Sequence, residues 1–259
     1  MTMFGFLIKK SFYGLWDNLL KLGLLNLGFT LSVAAILLIP PAAGYAAPAT
    51  VAALAAAGLW ACVFMAAVTR LVGPVSDHGS LVIGAAPVAL RASYKQGLSL
   101  AVIAALWLAV ATLALPFYTG MGTLIGTFAG AAVFWILVLA ALALQFYASA
   151  SARLQGNPIK IAKKCFLIFF DNPLFAIGTA LYGLLLVALS LFLVFLFPGP
   201  VGLALYLDEA LRLRLLKYDY LEAHPEADRR RIPWDEILTD ERELVGTRSL
   251  KSLIFPWKE

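Results

Sequence analysis

Five stretches of this chain, at about residues 19–39, 49–69, 98–117, 124–147 and 174–197, run for some twenty residues with almost no charge. A helix needs roughly 20 mainly apolar residues to cross a hydrocarbon core about 30 Å thick. A sixth, shorter stretch covers about 201–216. Lys21 sits in the first turn of the first stretch, and the sixth carries Asp208, Glu209, Arg212 and Arg214. Strands of alternating polar and apolar residues are absent, so the segments read as helices rather than as a barrel. Of 259 residues, 62% are hydrophobic and 14% charged, against about 25% charged in an ordinary soluble domain. Burial inside one domain cannot absorb that excess, so much apolar surface must face lipid. The expectation is an all-α membrane protein with about six transmembrane helices.

The charges orient these helices. The connectors 40–48, 118–123 and 198–200 carry none. Basic residues fall instead in the alternate segments: Lys9, Lys10 and Lys21; Arg70, Arg91 and Lys95; Arg153, Lys160, Lys163 and Lys164; and a series from Arg212 to Lys258. Six crossings place all of them on one side, which the excess of Lys and Arg makes cytoplasmic. Both termini are then cytoplasmic. Without the sixth crossing the tail with Arg229-Arg230-Arg231 would be exported against that rule. The opening residues have only a short apolar run, Phe4–Ile8, before Lys9, and lack the order of a cleavable signal peptide, so they are expected to be retained. The net charge of +5 sits beside the spans, where anionic lipid attracts it. Membrane lipids, not nucleic acid, are the expected partner.

Lys9-Lys10-Ser11-Phe12-Tyr13-Gly14-Leu15-Trp16-Asp17-Asn18-Leu19-Leu20 aligns without a gap on Lys163-Lys164-Cys165-Phe166-Leu167-Ile168-Phe169-Phe170-Asp171-Asn172-Pro173-Leu174. A weaker third copy, Leu90–Gly97, precedes the middle pair of spans. Residues 1–221 therefore read as three units starting near 9, 90 and 163. Each is a basic amphipathic interfacial helix followed by a hairpin of two spans. Lys9, Lys10, Lys163 and Lys164 are expected to face the headgroups, and Phe12, Trp16, Phe166 and Phe170 the acyl boundary. Asn18, Asp171 and Asn172 are read as helix N-caps, with Pro173 at the first helical position.

Asp208, Glu209, Arg212 and Arg214 are the strongest candidates for a site. Counted from Pro200, Asp208 would lie roughly 12 Å into the membrane, where charge usually marks function or a paired network. The four charges read either as a polar cavity or ion path, or as the early cytoplasmic end of a short helix with Arg212 and Arg214 snorkelling. Asn26 and Gln145 are isolated amides suited to hydrogen bonds between helices. Gly122, Gly126 and Gly130 form a small-residue series suited to close packing. Asp77-His78-Gly79 reads as a turn. Cys62 and Cys165 form no metal spacing or disulfide framework. No catalytic motif is present, so no metal, cofactor or catalytic residue is expected.

The tail, 222–259, keeps apolar residues among charges of both signs. A short helix is expected over Trp234–Val245, with Pro233 before it, Gly246 after it, and Trp234, Ile237, Leu238, Leu244 and Val245 near one face. A second turn could hold Leu250, Leu253 and Ile254 before Phe255-Pro256-Trp257. Docking on the protein's own face and docking on a partner both remain open.

The stretch Leu90-Arg91-Ala92-Ser93-Tyr94-Lys95-Gln96-Gly97 resembles the basic aromatic F-K-x-x-F-K-Q segment of the YesL-like bacterial membrane proteins. Asn26 in the first span and the last helix, Tyr206 to Tyr220, running into a basic end, resemble them too. The likeness covers roughly residues 10–220 and rests on layout. It implies a bacterial cytoplasmic membrane and an accessory role beside a carbohydrate ABC transporter, and it supplies no catalytic residues. The tail departs from that pattern. The expected function is a non-enzymatic membrane accessory or scaffold protein, associating with transporter subunits or with itself through the tail. The alternative is a small transporter or channel built on Asp208 and Arg212, and a lipid-directed enzyme is the weakest reading.

Overall fold

Lipid offers no hydrogen-bond partner to a backbone, so a chain this apolar folds with its backbone groups satisfied within helices. A computed structural model describes residues 2–42, 47–226, 228 and 232–246, and among them there is no strand. The helices are α1 (Met3–Asp17), α2 (Leu19–Ala42), α3 (Ala47–Ser76) and α4 (Ala86–Ala109), which continues through a π-helical turn, Val110–Ala114, into α5 (Leu115–Gly120). They are followed by α6 (Leu124–Leu144), α7 (Tyr147–Arg153), α8 (Pro158–Asp171), α9 (Pro173–Phe192), α10 (Gly199–Ala223), α11 (Trp234–Ile237) and α12 (Thr239–Val245).

Five segments are long and apolar enough to cross a membrane: Leu19–Leu38, Pro48–Ser76, Ile83–Gly120, Leu124–Arg153 and Pro173–Phe192. The expected sixth, in α10, is not among them. Instead α10 is the axis of the bundle, with α1, α2, α3, α7 and α9 packed around it. Val201, Ala204, Leu205, Tyr206, Asp208, Ala210, Leu211 and Leu213 are all buried. A helix wrapped by protein needs no lipid-facing stripe, so its hydropathy says little about where it lies.

The two strong repeat copies fall at the α1–α2 and α8–α9 joints, each broken by a single residue, Asn18 or Asn172. The short helices pack one face into the bundle. α1 buries Phe6, Leu7, Tyr13, Leu15 and Lys10 in the bundle and leaves Trp16 exposed. α8 buries Ile161, Cys165, Ile168 and Phe169, while Lys163 and Phe170 are exposed and Lys164 is half-buried. The weaker copy has no separate helix, because Leu90–Gly97 runs unbroken within α4. It lacks an Asp-Asn pair to interrupt the helix, and Gly97 serves packing instead. A Cβ there would lie 2.5 Å from the Val63 Cα on α3.

The small residues of α6 pack closely on α5. A Cβ at Gly126 would come within 2.7 Å of the Tyr118 carbonyl oxygen, and one at Gly130 within 3.1 Å of the Thr119 side chain. Gln145 donates to the Ala176 carbonyl at 2.9 Å and so ties α6 to α9.

Candidate functional site

At its start α10 is held by one amide. The Asn26 Nδ2 donates to the Leu196 and Pro198 carbonyls at 3.1 and 2.8 Å, and its Oδ1 accepts from the Val201 N–H at 3.1 Å. Gly199, at φ +62°, is required there, since a Cβ would sit 2.4 Å from the Asn26 side chain. The preceding turn is also tied to the last turn of α9. Ser190 Oγ accepts from the Gly199 N–H at 2.9 Å, and the Phe195 N–H donates to the Ser190 carbonyl at 2.6 Å.

Nearer its other end, α10 carries a network of charges. Arg153 at the end of α7 grips Asp208 with two bonds, Nε to Oδ1 at 2.8 Å and Nη2 to Oδ2 at 2.6 Å. This fork geometry suits a planar guanidinium and a carboxylate. The same Arg153 reaches Asp77 at 3.2 Å, and Arg212 pairs with Asp77 at 2.8 Å and with Glu241 of α12 at 2.7 Å. Arg212 also donates to the Ser76 carbonyl. Lys10 of α1, 4% exposed, donates to Glu241 at 2.6 Å and to the Ser76 carbonyl at 2.9 Å. His78 lies 2.8 Å from Glu241 and 3.4 Å from Lys10. Lys9 bonds the Gly246 carbonyl at 3.0 Å.

One carboxylate, Glu241, is thus the meeting point of α1, the turn after α3, and α10. Burial alone would push its carboxyl up, but the Lys10 hydrogen bond and charge, the His78 bond and the Arg212 charge outweigh this and hold it below its ordinary value. Burial lowers the Lys10 ammonium despite the nearby Glu209 and Glu241. Lys10 is therefore an interior ion-pair partner, not the headgroup anchor expected of it. Glu209, beside Asp208, is 1% exposed, and its Oε2 has no hydrogen-bond partner among the described residues.

The expected caps are corrected as well. The Asn18 Nδ2 donates back to the Gly14 carbonyl at 3.1 Å, closing the end of α1 and not the start of α2. Asn172 stands at the N-cap position of α9 but makes no side-chain capping bond. Its Oδ1 accepts from Arg214 at 2.9 Å, and Asp171 accepts from Lys217 at 2.6 Å and Tyr218 at 3.0 Å. Burial would raise the Asp171 carboxyl, and these bonds hold it below its ordinary value. Arg214 does not snorkel. Its guanidinium lies 3.7 Å from the Phe175 ring centroid and 5.4 Å from that of Trp234, a stacking arginine favours.

The tail docks on the bundle. Leu238 is fully buried and breaks the expected single helix into α11 and α12. Trp234 and Val245 pack against the same core, while Leu244, expected on the buried face, is 63% exposed. Arg229–Arg231, the expected turn holding Leu250, Leu253 and Ile254, and Trp257 lie outside the described residues. Among the described residues no group of three or more His, Cys, Asp and Glu could hold a metal ion.

Sequence reasoning singled out Asp208, Glu209 and Arg212, which the structure brings together, but missed Asp77, Arg153 and Glu241. The contacts that assemble the cluster span up to 237 positions, as for Lys9 and Gly246, so local spacing holds no trace of them. The chain matches no family model, no curated protein and no solved structure.

Proposed function

We propose that this chain is a non-enzymatic membrane scaffold or accessory protein whose tail is latched onto its own cytoplasmic face. The observation that carries the reading is the pairing of three of the cluster's carboxylates with cations from other parts of the fold. Asp77, Asp208 and Glu241 are each bonded by cations from other elements of the fold, so these charges join helices. Asn26 closes the start of α10, and polar groups are sparse in the spans beyond it. Around the cluster, Arg70, Arg91, Lys95, Lys160 and Lys163 are exposed and form no ion pair with a described residue. These exposed cations suit anionic headgroups of the cytoplasmic leaflet.

The same reading gives α9 and α10 a membrane position. Past Asn26, α2 continues to Leu38, about 18 Å at a rise of 1.5 Å per residue. Leu31 and Leu38 on that part, and Val51 and Leu54 on α3, are exposed and need lipid. The turn at 192–198, uniformly apolar up to Pro198, stops at the level of Asn26 and so turns back within the bilayer. The bonds from Asn26 and Ser190 support this, because irregular backbone is tolerated at membrane depth where protein supplies its partners. The sixth segment then returns to the face that α9 left, and both termini stay cytoplasmic with Asp208 near the interface.

Association with a carbohydrate transporter rests on the resemblance to YesL-like proteins alone. Co-purification from native membranes in mild detergent tests the accessory role. Reproducible recovery of another membrane protein supports it, and repeated recovery of the chain alone overturns it.

A further inference from the structure

Beside the latch lies a cavity of about 440 Å³, lined by Lys10, Gly14, Lys21, His78, Glu209 and Val245 among others. Water occupies about 30 Å³ per molecule, so the space exceeds what a few bridging waters fill. Glu209 contributes to its wall while 1% exposed, with Oε2 unpartnered among the described residues. A buried carboxylate oxygen left unbonded is costly, and the near cation does not relieve it. The Lys10 ammonium donates to the Ser76 carbonyl and to Glu241 and forms no hydrogen bond with Glu209 among the described residues. Gly14 keeps the wall thin here, since a Cβ would come within 3.0 Å of the Glu209 Oε1. A hydrogen-bond donor brought into the cavity would meet the Glu209 carboxyl on its wall.

A second group on the lining defines the other end of such a ligand. Lys21 is exposed and forms no ion pair with a described residue. It lies in the first turn of the span that begins at Leu19, the depth at which lysine meets phosphate headgroups. We propose that the cavity binds a primary ammonium joined to a phosphate, the ammonium donating to Glu209 and the phosphate resting on Lys21. Ethanolamine phospholipid and free phosphoethanolamine share that chemistry. A quaternary choline headgroup does not, because it has no N–H to give Glu209.

The test uses the full chain, delipidated in detergent, with binding read by native mass spectrometry and by calorimetry. The probes are short-chain phosphatidylethanolamine, short-chain phosphatidylcholine and free phosphoethanolamine. The proposal expects the ethanolamine lipid to bind at least ten-fold more tightly than the choline lipid. Glu209→Gln should remove that preference. Lys21→Gln, an exposed change that leaves the fold intact, should weaken both lipids while keeping their ratio. Tighter binding of the lipid than of free phosphoethanolamine assigns the site to the membrane, and equal affinity assigns it to the soluble compound. Equal binding of the two lipids, or a preference unchanged by Glu209→Gln, overturns the proposal.

Discussion

Removing the Glu241 carboxylate should open the tail. In Glu241→Ala, Lys10 loses a 2.6 Å partner and Arg212 one at 2.7 Å, and both sit in a largely buried setting. Removing one member of a buried ion pair costs about 3–5 kcal/mol, and because Lys10 keeps Ser76 and Arg212 keeps Asp77 the lower end, about 3 kcal/mol, applies. Such a loss corresponds to a roughly 100-fold rise in the population with α11 and α12 undocked. Hydrogen exchange in detergent measures it directly. The Leu238 and Arg242 amides, bonded to the Trp234 and Leu238 carbonyls, should exchange about 100-fold faster, while α3 and α4 stay unchanged. Asp235→Ala, which removes an exposed pair with Arg242, should leave the exchange as it was. The latch also responds to acid. The Glu241 carboxyl is held below its ordinary 4.5, so its contribution is complete above that pH and is lost as pH falls through the lowered value. Exchange within three-fold of the parent in Glu241→Ala would refute the reasoning.

Two further outcomes test the packing around α10. Asn26→Leu strips the Leu196 and Pro198 carbonyls and the Val201 N–H of their partner, and at about 1–3 kcal/mol for each buried group left unsatisfied the thermal midpoint in detergent should fall steeply. Arg153→Gln leaves the fully buried Asp208 uncompensated, so Arg153→Gln with Asp208→Asn should unfold at a higher temperature than Arg153→Gln alone. A double variant no more stable than the single one would show that the pair is not coupled.

The membrane character and the helical fold were legible because lipid exposure writes itself into composition. Leu20, Leu106, Ile125 and Leu181 are apolar because their side chains face outward. The place of α10 was less legible for the converse reason. Enclosed by neighbours, it can carry Asp208, Glu209, Arg212 and Arg214 whether or not it crosses, so charge along the chain could not decide its depth. Lys10 misled because a basic residue on a short helix before a span usually meets headgroups, and only the fold of residues 234–246 back onto α1 turns it inward. The Asp-Asn pairs were recognised as marking joints, but their side chains serve the last turns of α10 and the end of α1. Those partners are set by packing that no local spacing records.

The most direct test of the account is the accessibility of single cysteines in cells, with Cys62 and Cys165 replaced. Trp16→Cys and Leu244→Cys report the cytoplasmic face, Gly120→Cys the opposite face, and Val194→Cys the turn between α9 and α10. The account predicts that a membrane-impermeant maleimide added outside labels position 120 alone. Positions 16 and 244 should label only after the membrane is opened, and position 194 should stay unlabelled in the intact bilayer throughout. Labelling of 194 from outside would show a complete sixth crossing and contradict the buried turn. Labelling of 16 or 244 from outside would contradict the cytoplasmic face on which the proposed function rests.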